Sequence, residues 1–225
     1  MIRNIYHGSE KVIEKPIFGY GKAYNDYGLG FYCTENIDMA KEWAVGYKKN
    51  GYANCYSIEM NEFKVLNLNS KKFCVLNWLA ILLDNREFEI SSPLAYEAKE
   101  YILDKFLVEY EKYDIIIGYR ADDSYFSFAS DFLNGIISYR QLTNALYLGK
   151  LGIQIVLKSK KAFECIEYIG SEVAKYEEWY SKKDIRDKKA RRQYLDLERY
   201  KRQKGDIYIM NIIDEEMDKD DMRLR

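Results

Sequence analysis

The chain has 225 residues, 48% hydrophobic and 32% charged, which suits a substantial core under a solvated surface. That balance, with 13 Gly and only 2 Pro, excludes a disordered or collagen-like polymer, and a formal net charge of −1 excludes an overall cationic field. A single histidine, His7, excludes an intrachain metal site built on several imidazoles and leaves one candidate for imidazole chemistry.

The four cysteines (Cys33, Cys55, Cys74, Cys165) are scattered, with no C-x-x-C pair, so neither a metal site nor a disulfide framework is expected. Free thiols fit a cytoplasmic location. The segment Met1 to His7 has no apolar core of a signal peptide, and the most apolar run, Val75 to Leu83, falls short of the ~20 residues of a membrane span, so no membrane partner is expected.

In chain order, Ile2 to Tyr6 reads as a short strand ending at His7-Gly8-Ser9. Pro16 to Gly30 is a loop holding Gly19, Gly21, Gly28 and Gly30, and Phe31 to Cys33 is a short strand. Apolar spacing predicts a helix over Ile37, Ala40, Trp43, Ala44 and Tyr47, capped by Thr34 or Asn36 and stopped at Asn50-Gly51. Strands follow over Tyr52 to Met60 and Phe63 to Leu68, then helices over Phe73 to Leu83 and Leu94 to Tyr113. Asp114 to Gly118 is a buried strand delivering Ala121, Asp122 and Asp123 to its end. Ser127 to Phe132 and Tyr139 to Leu148 read as helices, Gln154 to Lys158 as a strand and Lys160 to Ile166 as a helix. Helices and strands without a βαβ rhythm predict an α+β fold.

At about residue 171 the composition changes, dividing the chain into a unit over 1–170 and a charged helical extension over 171–225. Glu172 to Lys204 reads as one long helix whose stretch from Arg186 to Lys204 is strongly basic, before an acidic end. A solvated helix and a surface docking nucleic acid or a protein partner both fit that pattern.

Three segments carry the chemistry: Tyr6-His7-Gly8-Ser9 after a strand; Asp26 to Thr34, a glycine loop with Gly30-Phe31-Tyr32 leading into a strand and a helix; and a late strand opened by Gln154. In this order they resemble the ADP-ribosyltransferase superfamily, in the branch of poly-ADP-ribose polymerases and diphtheria-type toxins. The chain is also similar to an uncharacterised bacterial family of that superfamily, whose members often sit beside a small partner gene as in a toxin–antitoxin pair. The resemblance covers about residues 1 to 170. It implies a split β-sandwich with flanking helices and NAD as co-substrate in a cleft between two sheets, with the long charged helix following. Tyr32 would stack on nicotinamide, Gly8 would hold its carboxamide through the backbone, and His7 and Ser9 would bind the two riboses. Tyr6, Asp26, Gly30 and Phe31 complete the expected NAD site, and the loop from Tyr20 to Asp26 would cover the ligand.

The implied activity is mono-ADP-ribosyl transfer to a protein or nucleic-acid acceptor, by a toxin or defence effector with a small antitoxin as possible partner. Gln154 stands where the family carries Glu. It can hydrogen-bond a ribose hydroxyl but cannot act as a general base, which argues against chain-extending polymerase activity. Asp122 or Asp123 is a candidate replacement carboxylate, and equally a helix cap or turn residue. Arg120 is a candidate phosphate ligand. A catalytically silent module that binds NAD, an ADP-ribosylated ligand or a protein is the alternative. A Cys33–His7 hydrolase is disfavoured, because Cys33 and Tyr32 alternate across their strand.

Overall fold

Ile115, Ile116 and Ile117 are all buried, which a strand of period 2 allows only when both of its faces are covered. The computed structural model shows how. It describes residues 2–87, 90, 92–121, 123–146, 152–199 and 202–225, with the backbone alone for 123–126 and 197–199. The fold is α+β, with two sheets and, among the described residues, eight α-helices.

The first sheet is antiparallel, in the order β1 (Ile2–Ser9), β3 (Gly51–Glu59), β7 (Glu167–Ala174). The second runs β2 (Phe31–Cys33), β6 (Ile153–Leu157), β5 (Ile115–Tyr119), β4 (Val65–Asn67), with only the β4–β5 pair parallel. Ile5, Tyr56 and Ile58 of the first sheet share one core with Cys33, Ile115, Ile117, Ile155 and Leu157 of the second. The alternate residues Leu66, Ile116 and Val156 join a larger core with helices α2 (Val75–Asn85), α3 (Pro93–Phe106), α4 (Asp123–Leu133) and α5 (Tyr139–Ala145). The second sheet is thus covered on both faces, which is why its central strands read as continuous apolar runs.

Most expected elements form within a few residues of their predicted bounds. The first strand, expected to end at His7-Gly8-Ser9, runs through all three, which pair with Asn54, Ala53 and Tyr52. Helix α1 (Ile37–Ala44) is capped by Asn36, whose side chain accepts from the N–H groups of Asp38 and Met39. It ends at Ala44 rather than at Asn50, because Gly46 and Lys49 exchange backbone hydrogen bonds in a tight turn that returns the chain to β3. The expected helix through Tyr113 stops at Phe106, with a single 3₁₀ turn over Tyr110–Lys112 before β5.

Sequence reading misses β7 altogether. It has few apolar residues because it is an edge strand, and it runs across residue 170, so the composition change falls inside a strand. Between it and β6 lies α6 (Lys160–Glu164). The extension is helical, as expected, with α7 (Tyr176–Arg199) and α8 (Ile209–Asp214), but it shares the main core rather than building its own. Trp179 packs on Ala44, Val45 and Ala174, while Tyr194, Ile209, Ile212, Met217 and Leu224 enter the large cluster. Arg186 also turns inward, onto Glu42 at 2.5 Å, and leaves the basic surface expected of it. Among the described residues no helix is long and apolar enough to cross a membrane.

Gly8 shows how closely α1 packs on β1. A Cβ there would collide with the backbone oxygen of Ala40 and lie 2.9 Å from the backbone nitrogen of Ala44. Gly8→Ala therefore forces the helix off the sheet, and overpacking of this kind costs about 1–3 kcal/mol. Urea unfolding should show the lower midpoint; an unchanged midpoint would mean that α1 is free to shift.

Candidate functional site

Among the described residues the two sheets are joined by a backbone bridge between Tyr6 and Thr34. Tyr6 N–H donates to Thr34 O at 2.7 Å and Thr34 N–H donates to Tyr6 O at 2.9 Å, linking β1 to the end of β2. One residue further along, His7 Nδ1 lies 2.7 Å from Tyr32 O. A carbonyl only accepts, so Nδ1 carries the proton and Nε2 is left as an acceptor. The imidazole stacks on Phe31 at 4.3 Å between ring centroids. Burial pushes its pKa below the ordinary imidazole value, against the opposing effect of the Tyr32 carbonyl, so the ring is held neutral.

Beside this junction opens a cavity of about 720 Å³, of the size that binds small molecules. His7, Gly8, Ser9, Asp26, Gly30, Phe31, Tyr32 and Gln154 all line it, so the three sequence segments converge on one site. The stretch from Glu10 to Gly21 contributes Lys11, Lys15, Ile17 and Tyr20 as one wall, and Asn25 and Asp26 lie where the loop returns. Tyr6 is not among the lining residues; its phenol interacts with Cys55. Asp122 lies outside the described residues, and Asp123 is described only as the first backbone position of α4. Cys33 is fully buried in the core between the sheets, with its thiol pKa pushed well up by desolvation, so it offers no thiolate to the cavity.

Tyr32 is held firmly. Its hydroxyl donates to Gly28 O at 2.5 Å and accepts from Tyr27 N–H at 3.1 Å, and burial raises its pKa far above the usual phenol. It is an uncharged ring that pins the glycine loop as well as lining the cavity. Gly28 has φ +70°, a left-handed conformation that glycine adopts without strain. Lys158 Nζ clamps the same loop from below by donating to Tyr27 O and Leu29 O at 2.5 and 2.7 Å. Ser9 is also engaged: its hydroxyl donates to Lys11 O and accepts from Asn54 Nδ2.

At the floor sits Asp26, 4% exposed. Arg86 Nε and Nη2 donate to its Oδ1 at 3.1 and 2.9 Å, while Ala121 N–H and Gln154 Nε2 donate to its Oδ2 at 2.9 and 3.1 Å. Burial raises its pKa, and those donors oppose the rise. Arg120 stacks over Trp43, 4.6 Å from the ring centroid, and both line the cavity. On the cavity wall the buried acceptor Gln154 Oε1 and the buried donor Trp43 Nε1 have no hydrogen-bond partner among the described residues.

Arg86, Trp43 and Asn54 were not legible as site residues. Trp43 reads as a core position of α1. Arg86 merely follows an apolar helix, and Asn54 sits in a strand, where its amide donates to His7 O. Asp84, Glu87 and Glu89 surround Arg86 in the chain, so nothing local marked Asp26 as its partner.

Because folding lowers the His7 pKa, the unfolded chain binds that proton more tightly. The His7 contribution to stability is therefore complete above about pH 6.5 and is lost as pH falls below that value. Asp26, with its pKa raised, acts in the opposite sense from the ordinary carboxylate value upward, so the His7 effect is read as a difference. Urea unfolding at about pH 5 and about pH 7 should show a smaller acid loss for His7→Asn than for the wild type. Equal losses would show that the imidazole titrates normally in the folded chain.

No curated protein and no solved structure matches the chain. A family model does, over residues 3–168, from β1 into β7 and so across every strand that builds the cavity. The chain belongs to the family described as Protein of unknown function (DUF3990).

Proposed function

We propose that the chain is an NAD-dependent mono-ADP-ribosyltransferase that passes ADP-ribose to a protein or nucleic-acid acceptor, with two facing sheets forming a split β-sandwich of that kind. The observation that carries this reading is the convergence of His7, Tyr32 and Gln154 on one cavity beside the Tyr6–Thr34 bridge between the sheets. Three segments far apart in the chain, selected for their likeness to a nicotinamide site, line the same walls.

The chemistry suits those walls. NAD combines flat rings, two riboses and a diphosphate. Tyr32 and Phe31 offer rings, neutral His7 and Gln154 offer acceptors for ribose hydroxyls, and Lys11, Lys15, Arg86 and Arg120 offer positive charge for phosphates. In the reaction the bond between ribose C1′ and the nicotinamide nitrogen breaks, and its electron pair leaves with nicotinamide. The acceptor then bonds to C1′ and releases its proton to solvent. The transition state has oxocarbenium character. Gln154 cannot act as general base, so a nucleophile that loses its proton easily is the acceptor expected here. A toxin or defence effector restrained by a small antitoxin fits this activity.

One observation favours a second reading. The position opening β6 carries an amide rather than a carboxylate, which fits a module that binds NAD or an ADP-ribosylated ligand without turnover.

Purified protein incubated with NAD and cell extract should release nicotinamide, and His7→Ala should lower the rate by about a hundredfold or more through lost positioning. Tyr32→Ala should abolish release, whereas Tyr32→Phe keeps the ring and retains part of it. Extract treated with ribonuclease or protease identifies the acceptor class by which treatment stops the reaction. A nucleic-acid acceptor would also show binding that weakens by ~10³ or more between about 50 and about 200 mM salt. A thermal shift with NAD but no release supports the binding module; the absence of both a shift and release removes the NAD assignment.

A further inference from the structure

A glutamine side chain presents a donor at one end and an acceptor at the other, and what surrounds it decides which faces where. Asp26 Oδ2, 3.1 Å from Gln154 Nε2, is an acceptor only. The opposite orientation would set the amide oxygen against a carboxylate oxygen in a buried site, which is electrostatically unfavourable. The carboxylate is itself immobilised, since Arg86 holds Oδ1 through two bonds and Ala121 N–H holds Oδ2. Gln154 is 4% exposed and lines the cavity, and its Oε1 has no hydrogen-bond partner among the described residues. A buried acceptor left open in this way is costly unless a ligand satisfies it.

We propose that Asp26 is a positioning residue that locks the Gln154 amide with its carbonyl oxygen toward the cavity, where that oxygen accepts a hydrogen bond from a hydroxyl of a ribose-bearing substrate. The ligand half of this assignment rests on the transferase reading; the lock itself does not. Asp26 also explains the amide at 154. A glutamate there would set two buried carboxylates about 3 Å apart, and like charges so close cannot both ionise. The negative charge is held in the cavity floor, paired with Arg86, and a neutral acceptor is left for the ligand.

Transposing the two groups tests this. Asp26→Asn, Gln154→Glu and the double variant are titrated calorimetrically with NAD. Each single substitution should weaken binding by about tenfold or more, and the double should bind severalfold more tightly than Asp26→Asn, because amide and carboxylate again face each other, although an amide nitrogen at position 26 cannot accept from Ala121 N–H. A double variant as weak as Asp26→Asn overturns the proposal, for Asp26 would then act only through Arg86 and Ala121, whose bonds the transposition does not restore. If Asp26→Asn does not fold, Gln154→Met serves: it leaves Asp26 on Arg86 and Ala121, and unchanged NAD affinity would overturn the acceptor role. A wild type that does not bind NAD removes the transferase reading and the ligand half with it. The lock is then decided by the side-chain amide protons of Gln154 in ¹⁵N-labelled protein. Slow exchange that accelerates in Asp26→Asn upholds it, and exchange like that of an exposed glutamine overturns it.

Discussion

The architecture turns on two backbone hydrogen bonds. The Tyr6–Thr34 bridge ties the edge of one sheet to the edge of the other, so that the sheets part on one side of the tie and share a core on the other. Everything that lines the cavity is positioned relative to this hinge of chain. It brings His7 within hydrogen-bond reach of the Tyr32 carbonyl and lets Phe31 cover the imidazole. Gly8, next along, admits the α1 backbone so closely that no side chain fits, which sets Trp43 against the cavity. The backbone geometry of β1 thus decides the placement of an imidazole, an indole and a phenol together.

In its floor the site buries charge rather than exposing it. Asp26 is desolvated and fully engaged, and a buried ion pair of this kind is poor stabiliser of a fold by itself, since the desolvation of both ions offsets their attraction. Its physical value is geometric. One carboxylate orders the end of α2 through Arg86, the segment after β5 through Ala121, and the opening of β6 through Gln154. The loop before β2 is also held by bonds to a strand end, where Lys158 donates to two carbonyls and the phenol of Tyr32 closes a short ring of bonds to Tyr27 and Gly28. A site assembled from loop residues is rigid here because each loop is bonded to a strand end.

The residues after the family match are not an independent appendage. Tyr139 donates to Leu224 O at 2.6 Å and Tyr101 to Met217 O at 3.1 Å, while Arg140 grips Asp206 with two bonds. Their apolar side chains complete the core beneath the second sheet. Arg186, paired with Glu42 on α1, connects α7 to the helix that carries Trp43. The tail therefore bears on the site through α1, although it lines none of the cavity.

The α+β class, the central strands and the main helices were legible because periodicity of apolar residues is a local property, read within a few turns of chain. So were His7, Tyr32, Gly8 and Gly30, whose residue types and order form recognisable segments. The strand β7 was not, because an edge strand facing solvent has no apolar alternation to display. Nor did any local pattern mark Asp26 as the centre of the floor. Its partners Arg86 and Gln154 lie 60 and 128 residues away in the chain, and only the packing of two sheets against a helical layer brings them within 3.1 Å. The sequence by itself determined which groups exist to do chemistry; the tertiary structure alone decided which of them touch, because burial and the pairing of buried charge depend on neighbours that no stretch of sequence contains.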